Sequence, residues 1–213
     1  MQDTKQTYEE WREERKTYIG GSEGGKVLGV SRWGCPRSVV NDKLGAEKDF
    51  EDDDKPEFRR GRRLERTAVE YYQEVTGREV KKTELVRMEG KPYIGINCDR
   101  LVFDPVKGWG YLEAKVLGRQ SFMKVKKEGI PEDWIVQLQQ GIAVRKLTWG
   151  SYAIYAPERD DFDWFDRDAD PELADMIIDR EENLWVFNVE PGILPDPLPY
   201  GSPQCEGCVY SIS

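Results

Sequence analysis

Residues 93–117 of this chain read YIGINCDRLVFDPVKGWGYLEAKVL, and this stretch is the strongest indication of the fold. Two runs rich in β-branched and aromatic residues, 93–103 and 111–117, flank a turn at 104–108 that contains Asp, Pro and Gly. Apolar runs of this kind on either side of such a turn predict a β-hairpin. We expect the turn of the hairpin to be centred near Val106.

The predicted hairpin brings charged side chains together. With its centre near Val106, Asp99 falls opposite Glu113, and directly opposed side chains of an antiparallel pair lie about 5 Å apart. Alternation along the strand puts Glu113 and Lys115 on one face and turns Ala114 away. Carboxylate oxygens are the ligands that hard divalent cations such as Mg²⁺ prefer. The pattern therefore predicts a metal-dependent hydrolytic centre.

A long helix is predicted before the hairpin, over residues 56–77. Pro56 suits a first helical turn and Gly77 a C-terminal stop. At about 100° per residue the apolar positions form a stripe that includes Leu64, Ala68, Val69, Tyr72 and Val75. Glu65 lies inside this stripe, and a carboxylate that points inward needs a partner. We consider it a further metal ligand, with a core arginine as the alternative partner.

The remaining elements are shorter. We predict helices over 6–18, around Phe122, over 131–146 and over 171–187, and strands over 79–88 and 148–156. Ser22 is the predicted N-cap of a short helix within the glycine-rich stretch 19–25. We expect one domain over residues 1–190. A Pro-rich C-terminal tail over 191–213 follows and carries the pair Cys205-x-x-Cys208.

Composition indicates a globular protein but opposes the usual signature of nucleic-acid binding. The chain has 213 residues, with 38% hydrophobic and 34% charged, which argues against disorder. Its 32 basic and 41 acidic residues give a formal net charge of −9, the wrong sign for a phosphate partner. The positive charge is nevertheless concentrated in one local cluster, which could hold phosphates despite the negative net charge: Arg59, Arg60, Arg62, Arg63 and Arg66. A solvated helix face is the alternative interpretation of that cluster.

Histidine is absent from the sequence. Histidine triads, histidine general bases and histidine-ligated zinc are therefore excluded, and the chemistry rests on carboxylates, lysine, serine or cysteine. The first residues lack the pattern of a secretion signal, and no run is long and apolar enough to span a membrane. We expect a cytoplasmic protein whose four cysteines are reduced.

Five motifs, in order and spacing, resemble those of PD-(D/E)XK nucleases, and within them the phage exonucleases of the lambda-exonuclease and YqaJ viral-recombinase type. They are Arg15 with Ser22 seven positions later, Gly61-Arg-Arg-Leu-Glu65, Asn97-Cys-Asp99, Leu112-Glu-Ala-Lys115 and Trp134-Ile-Val-Gln137-Leu-Gln139. The resemblance covers roughly residues 10–157. It implies an α/β fold with a restriction-endonuclease-like core, in which a mixed central β-sheet is flanked by α-helices.

The resemblance also implies a role for each matched residue. The implied ligands of two Mg²⁺ ions, or of Mn²⁺ in their place, are Asp99, Glu113, the Ala114 backbone carbonyl and Glu65. Lys115 would orient or deprotonate the attacking water, and Gln137 would support that lysine. Family members usually carry tyrosine where this chain has Trp134, so the hydrogen bond from that hydroxyl is in question here.

The resemblance and the basic cluster of the long helix each suggest contacts to DNA. Arg15 and Ser22 match a pocket for the 5′-terminal phosphate, while Arg59, Arg62 and Arg66 are candidates for contacts to the DNA backbone. The implied activity is a 5′-to-3′ exonuclease on the ends of double-stranded DNA, in phage-type recombination. A ring-shaped homotrimer, a single-strand annealing protein as partner and the cytoplasm of a bacterial host are implied with it.

Other interpretations stay open at this point. One is an endonuclease or resolvase of the same superfamily, and another is an inert DNA-binding module, to which the net charge of −9 lends support. Asp99 taken alone reads as the end of a strand. Glu113 and Lys115 taken alone read as a solvated pair on a strand face.

The cysteines raise a further alternative. Cys35, Cys205 and Cys208 resemble the ligands of zinc or iron–sulfur sites, as in the Cas4 and AddB-type nucleases, which use one early and three late cysteines. This chain has two late cysteines. We therefore do not expect an iron–sulfur cluster.

Overall fold

The computed structural model describes residues 7–46, 56–97, 100–199, 201–205 and Tyr210. The helices in this part are α1 (Tyr8–Lys16), α2 (Gly21–Val27), α3 (Pro36–Leu44), α4 (Pro56–Thr76), α5 (Arg119–Glu128), α6 (Glu132–Val144) and α7 (Pro171–Leu184). The strands are β1 (Glu79–Lys81), β2 (Val86–Met88), β3 (Lys91–Ile96), β4 (Arg100–Asp104), β5 (Gly108–Val116), β6 (Trp149–Ala156) and β7 (Asp161–Asp168). A π-helical segment, Trp185–Val189, continues α7, and a 3₁₀ turn spans Pro203–Cys205.

A five-stranded mixed sheet forms the centre of the fold, in the order β1-β4-β5-β6-β7. β4 and β5 pair as an antiparallel hairpin, with Arg100 opposite Leu112 and Asp104 opposite Gly108, so the turn is centred at Val106 as predicted. β5 and β6 are parallel, because α5 and α6 carry the chain back between them. β6 and β7 are antiparallel. The predicted mixed sheet is confirmed.

Helices cover both faces of this sheet. Ala68 of α4 packs with Ala114 of β5 on one face. Leu138 of α6 belongs to the buried cluster on the other face. Because side chains alternate along a strand, Glu113 and Lys115 are directed towards α6 while Ala114 faces α4. The predicted division of these three residues between the two faces is confirmed.

Two predicted strands are each divided in the structure. Residues 79–88 form β1 in the main sheet and β2 in a separate two-stranded sheet, and residues 93–103 form β3, which pairs with β2, and β4. The predictions of single strands were therefore wrong. Ile19 N donates to Tyr93 O at 2.8 Å and Gly95 N donates to Ile19 O at 3.0 Å. This pairing ties β3 to the segment between α1 and α2 and separates it from β4.

Helix α4 is confirmed, and Gly77 follows it with a φ of +67°. Glycine adopts this left-handed conformation without strain, which explains why the helix ends there. Tyr72 is fully buried, whereas Val75 is 50% exposed. The assignment of Val75 to the buried stripe was wrong, because the last turn of α4 continues beyond the part that packs on the sheet.

The predicted N-cap of α2 was also wrong. The helix begins at Gly21, with Gly20 as its N-cap, and Ser22 is an exposed residue of the first turn. The Gly20 N–H donates to Glu23 Oε2 at 2.7 Å. Glu23 thus satisfies a terminal backbone N–H group, which removes the need for a serine cap.

Helix α3 and strand β7 were not predicted. β7 is an edge strand in which four of eight residues are aspartate, a composition that disfavours strand predictions but suits an exposed edge. The segment after α7 contacts α3, where Arg37 Nη1 donates to Pro195 O and Tyr210 OH donates to Asp42 Oδ1, both at 2.7 Å. Within the described ranges, no helix has the length and apolar character needed to cross a membrane.

Candidate active site

Three predicted side chains meet on the sheet face that α6 covers. Lys115 Nζ donates to Glu113 Oε1 and to Gln137 Oε1, both at 2.9 Å. Gln137 Nε2 donates to the same Glu113 oxygen at 2.6 Å. The side chains of Glu113 and Lys115 are 7% and 19% exposed, which differs from a solvated pair on a strand face. The three residues form one hydrogen-bonded triangle.

The other oxygen of Glu113 has a donor of its own. Tyr111 lies two positions earlier on β5, and its hydroxyl donates to Glu113 Oε2 at 3.1 Å. The ring of Tyr111 lies against α6 at Gly141, where a Cβ atom would stand 2.3 Å from Tyr111 Cε2. Glycine at this position lets α6 approach the strand closely, and this approach brings Gln137 within reach of Glu113.

Trp134 of α6 lies beside Lys115. Its ring centroid lies 5.3 Å from Lys115 Nζ, within the range of a cation–π contact. Its backbone carbonyl accepts a 2.8 Å hydrogen bond from Tyr152 OH. The indole ring of Trp134 therefore contacts the lysine through its face and provides no hydroxyl group for a hydrogen bond.

The predicted acidic ligands lie partly within the described chain. Glu65 is half-buried on α4, and its Oε1 atom lies 3.9 Å from Arg100 Nη1. The arginine partner that we considered as the alternative to a metal ion is therefore present. Asp99 lies outside the described residues. The neighbouring pair of the hairpin, Arg100 with Leu112, has the predicted register. Among the described residues, no three His, Cys, Asp or Glu side chains group in a way that could hold a metal ion.

A second polar cluster lies where α1, α2 and α3 meet. Arg15 Nη2 lies 3.4 Å from Ser22 Oγ and 3.3 Å from Glu23 Oε2, so the structure brings the predicted pair Arg15 and Ser22 together. Lys43 Nζ donates to the two Glu23 oxygens at 2.7 and 2.8 Å and to the Arg15 carbonyl oxygen at 2.8 Å. Glu23 and Lys43 are buried, and Ser22 is exposed.

The groups of this cluster shift the ionisation of one another. Burial would raise the pKa of Glu23, but the charges of Lys43 and Arg15, with hydrogen bonds from Lys43 and the Gly20 N–H, lower it to about 2. The Glu23 carboxylate in turn raises the pKa of Arg15. Glu181 of α7 faces the cluster, and burial, reinforced by the Glu23 charge, raises the pKa of Glu181 well above its ordinary value. Glu23 is therefore ionised at neutral pH, whereas burial favours the neutral form of Glu181.

Helix α2 connects this cluster to the triangle on β5. A Cβ atom at Gly21 would stand 3.3 Å from Gln137 Cγ and 2.3 Å from Ile96 Cδ1. The absence of a side chain at Gly21 allows α2 to pack directly on α6 and β3. Because Ser22 follows Gly21, the pair Arg15 and Ser22 lies beside the helix that carries Gln137.

The arginines of α4 lie in two different environments, a surface cavity and an exposed ion pair. Three arginines and a leucine line a surface cavity of about 500 Å³: Arg59, Arg60, Arg63 and Leu64. Arg66 Nε instead donates to Glu70 Oε1 at 2.7 Å, in an exposed pair. The side chain of Arg62 lies outside the described part. The cavity adjoins the stretch of α4 that carries Glu65.

The cysteines occupy two regions of the fold. Cys35 is buried at the N-cap of α3, and Cys205 is half-buried in the 3₁₀ turn. Cys208 lies outside the described residues. The zinc or iron–sulfur alternative therefore stays a prediction.

Sequence reasoning missed three residues of these clusters, namely Tyr111, Glu23 and Lys43. Strand alternation would have found Tyr111, because it shares a face of β5 with Glu113. No comparable signal marks Lys43, which lies in an unpredicted helix and reaches Glu23 across 20 positions of sequence.

Known proteins resemble this chain in sequence and in fold. A family model described as the YqaJ-like viral recombinase domain matches residues 10–148. The protein YqaJ of Bacillus subtilis strain 168, described as uncharacterized, is 29% identical over 189 residues, which are 88% of this chain and 58% of that protein. This chain thus spans less than two thirds of the length of that relative.

Solved structures share the fold at low sequence identity. The alkaline exonuclease LHK-Exo from Laribacter hongkongensis has a TM-score of 0.70 and 21% identity, over 86% of this chain and 93% of that one. A phage-related exonuclease from Haemophilus somnus 129PT has a TM-score of 0.55 and 15% identity, over 78% and 91%. The restriction-endonuclease-like core is thereby confirmed. With the family model matching more than half of its length, the chain belongs to the YqaJ-like viral recombinase domain family.

Proposed function

We propose that this chain is a metal-dependent deoxyribonuclease that removes nucleotides from the ends of linear double-stranded DNA. The observation that carries the proposal is the hydrogen-bonded triangle of Glu113, Lys115 and Gln137, which unites two of the sequence motifs around a buried carboxylate. A fixed ammonium group beside a shielded carboxylate suits a reaction in which water attacks phosphorus and negative charge grows on the phosphoryl oxygens. Solved structures with this fold include proteins named as exonucleases.

The residues fit divalent cations that bind through oxygen. Glu113 is a buried carboxylate with hydrogen-bond donors on both oxygens. Asp99, the Ala114 carbonyl and Glu65 are the other proposed oxygen ligands, a set that suits Mg²⁺ or Mn²⁺. Two such ions supply, when bound, a water of lowered pKa and Lewis-acid stabilisation of the phosphoryl oxygens.

The side chains of the triangle perform the remaining tasks. An ammonium group carries three hydrogens, and the described hydrogen bonds of Lys115 use two of them, on Glu113 and Gln137. The third is available to orient the attacking water or to stabilise a phosphoryl oxygen in the transition state. Gln137 holds both the lysine and the carboxylate, so the group is positioned before the substrate binds.

The contact between Arg15 and Ser22 supports a pocket for a 5′-phosphate, and hence 5′-to-3′ polarity. A guanidinium group and a hydroxyl are both donors that phosphate oxygens accept. Hydrolysis of the bond between phosphorus and the 3′ oxygen releases a mononucleotide and leaves a new 5′-phosphate on the shortened strand. Each product end is then a ligand for the same pocket. LHK-Exo, for its part, is known in complex with dAMP.

Assembly and partner belong to the same proposal and rest on the family. We infer a ring-shaped homotrimer that encircles the DNA and a partnership with a single-strand annealing protein in phage-type recombination. Light scattering after gel filtration tests the ring. A mass three times the 24.7 kDa of one chain supports it, and the mass of a single subunit contradicts it.

The test of the activity uses three DNA substrates of one sequence: a linear duplex with a 5′-phosphate, the same duplex with a 5′-hydroxyl, and a covalently closed circle. Each is incubated with Mg²⁺ and with EDTA. We expect metal-dependent release of mononucleotides, fastest from the 5′-phosphorylated end, and an intact circle. The variant Asp99→Asn should be inactive in every reaction.

Three other results would each contradict part of the proposal. Nicking of the circle would identify an endonuclease or resolvase. Binding of DNA without cleavage by the wild type would identify an inert module. Cleavage that resists EDTA would remove the assigned role of the divalent ions.

A further inference from the structure

The pocket proposed for the 5′-phosphate lies beside an ionic cluster in which two cations pair with the same carboxylate. Two cations, Arg15 and Lys43, share one carboxylate, that of Glu23. The side chains of Lys43 and Glu23 are 1% and 6% exposed, while that of Arg15 is 25% exposed. The lysine is therefore shielded from DNA, and the arginine lies at the edge that faces solvent.

The carboxylate is not shared equally. Lys43 Nζ lies 2.8 and 2.7 Å from the two Glu23 oxygens, whereas Arg15 Nη2 lies 3.3 Å from one of them. Glu23 Oε2 also accepts the Gly20 N–H at 2.7 Å. Since Lys43 and Gly20 occupy the carboxylate at shorter distances, the charge of Arg15 is only partly compensated.

Two further carboxyl groups lie close to these cations, and one of them, Asp42, also raises the pKa of Arg15. Glu181 faces the cluster from α7, where burial and the charge of Glu23 raise the pKa of its carboxyl group and so favour its neutral form. Glu181 is the same in every variant considered below. Asp42 is half-buried at the border of the cluster and accepts a hydrogen bond from Tyr210 OH at 2.7 Å. Asp42 is the same in every variant considered below, so it does not affect their comparison.

We propose that Lys43 is a positioning residue that keeps Arg15 available for a terminal phosphate by binding the carboxylate of Glu23. Lys43 also donates to the Arg15 carbonyl oxygen at 2.8 Å, and so fixes the end of α1 that presents the arginine. Without Lys43, Glu23 would pair fully with Arg15 and the positive charge of the pocket would be lowered. The proposal rests on the assignment of Arg15 to phosphate binding made above.

The experiment measures one ratio, the initial rate on a 5′-phosphorylated linear duplex divided by that on the 5′-hydroxyl duplex, both with Mg²⁺. We expect Lys43→Met to lower the ratio by about tenfold or more, because Arg15 loses its surplus charge. The double variant Glu23→Gln/Lys43→Met removes one charge of each sign and should restore the ratio to within about threefold of wild type. A purely structural role for Lys43 predicts no such restoration.

Lys146→Met is the matched control. It removes one positive charge from the chain at a side chain that is 74% exposed and pairs with Glu89. We expect its ratio to equal that of the wild type. Thermal unfolding of each variant establishes that the fold is retained. If Lys43→Met is unfolded at the assay temperature, the double variant decides alone: a retained ratio supports the proposal, and a lost ratio overturns it.

The other outcomes separate this inference from the proposed function. If the wild type does not distinguish the two ends, or Arg15→Met keeps the ratio, the phosphate pocket itself is wrong and the inference falls with it. If the wild type and Arg15→Met behave as expected but folded Lys43→Met keeps the full ratio, only the role of Lys43 is wrong.

Discussion

Lys115 and Glu113 stand two positions apart on β5, and the lysine donates a 2.9 Å hydrogen bond to the carboxylate beneath helix α6. Their side chains are 19% and 7% exposed, so solvent screens the pair weakly. Gln137 contacts both residues from α6. The ammonium group is thus oriented by the fold itself, which is the condition for electrostatic stabilisation of a transition state.

Lys115→Met tests this orientation directly. We expect the rate of DNA cleavage to fall by roughly 10²- to 10⁴-fold, the usual contribution of a positioned proton-transfer group. Binding of duplex DNA in EDTA, measured by fluorescence anisotropy, should change little. Lys146→Met serves again as the charge-matched control. A cleavage rate for Lys115→Met within tenfold of wild type would refute the assigned role.

Tyr111→Phe tests the hydrogen bond to the second oxygen of Glu113, with Tyr152→Phe as its matched control. Each variant loses one buried hydroxyl, so each should lower the free energy of unfolding by about 1 kcal/mol. Only Tyr111→Phe removes a donor from the proposed metal ligand, since Tyr152 OH donates to the Trp134 carbonyl. We expect a changed Mg²⁺ concentration for half-maximal cleavage in Tyr111→Phe alone. Equal changes in both variants would mean that Tyr111 acts only on stability.

Gly141→Ala tests the close approach of α6 to β5. The new Cβ atom would stand 2.3 Å from Tyr111 Cε2, and we expect a loss of about 1–3 kcal/mol in the free energy of unfolding from overpacking. Gly61→Ala is the control, because among the described residues no atom outside its own helix lies within 4 Å of the new Cβ position. That change should be neutral or stabilise by up to about 1 kcal/mol. Urea denaturation of both variants checks the difference, and an undisturbed Gly141→Ala variant would contradict the packing argument.

Glu181→Gln tests the raised pKa of this buried carboxyl group through the pH dependence of stability. The ordinary pKa of 4.5 applies in the unfolded chain, and burial raises the pKa of Glu181 well above it in the fold. As pH rises above 4.5, the unfolded chain therefore loses a proton that the fold retains, and stability falls. Glutamine cannot ionise, and its carbonyl oxygen can still accept from Gln140 Nε2, which lies 3.1 Å from Glu181 Oε2.

We expect the two proteins to have similar stability near pH 4. Above pH 4.5, Glu181→Gln should gain about 1.4 kcal/mol over wild type for each pH unit, up to the raised pKa. Glu182→Gln is the control, because contacts with Lys91 and Tyr93 lower the pKa of Glu182. Replacing Glu182 should therefore not increase the free energy of unfolding at higher pH. Chemical denaturation at pH 4, 5.5 and 7 distinguishes these outcomes. Parallel curves for Glu181→Gln and wild type would show that Glu181 ionises normally.

The hairpin and helix α4 were predictable because their signals are local. A turn centred at Val106 determines the pairing of Arg100 with Leu112, and Pro56 with Gly77 marks the limits of α4. The division of residues 93–103 was not predictable, because it depends on hydrogen bonds between β3 and Ile19, far away in sequence. Ser22 was placed wrongly since its suitability as a cap was judged without the competing hydrogen bond from Gly20 to Glu23.

Ordered motifs were enough to place the chain in its family, and strand alternation was enough to put Glu113 and Lys115 on one face, because neither signal needs a distant contact. Two contacts are visible only in the folded chain: Gln137 reaches Glu113 across 24 positions, and Lys43 binds both Glu23 and the Arg15 carbonyl oxygen. Both arrangements depend on helices packing against other elements of the fold. The distances that result are set by close packing, including the contact at Gly141, which no local pattern in the sequence records.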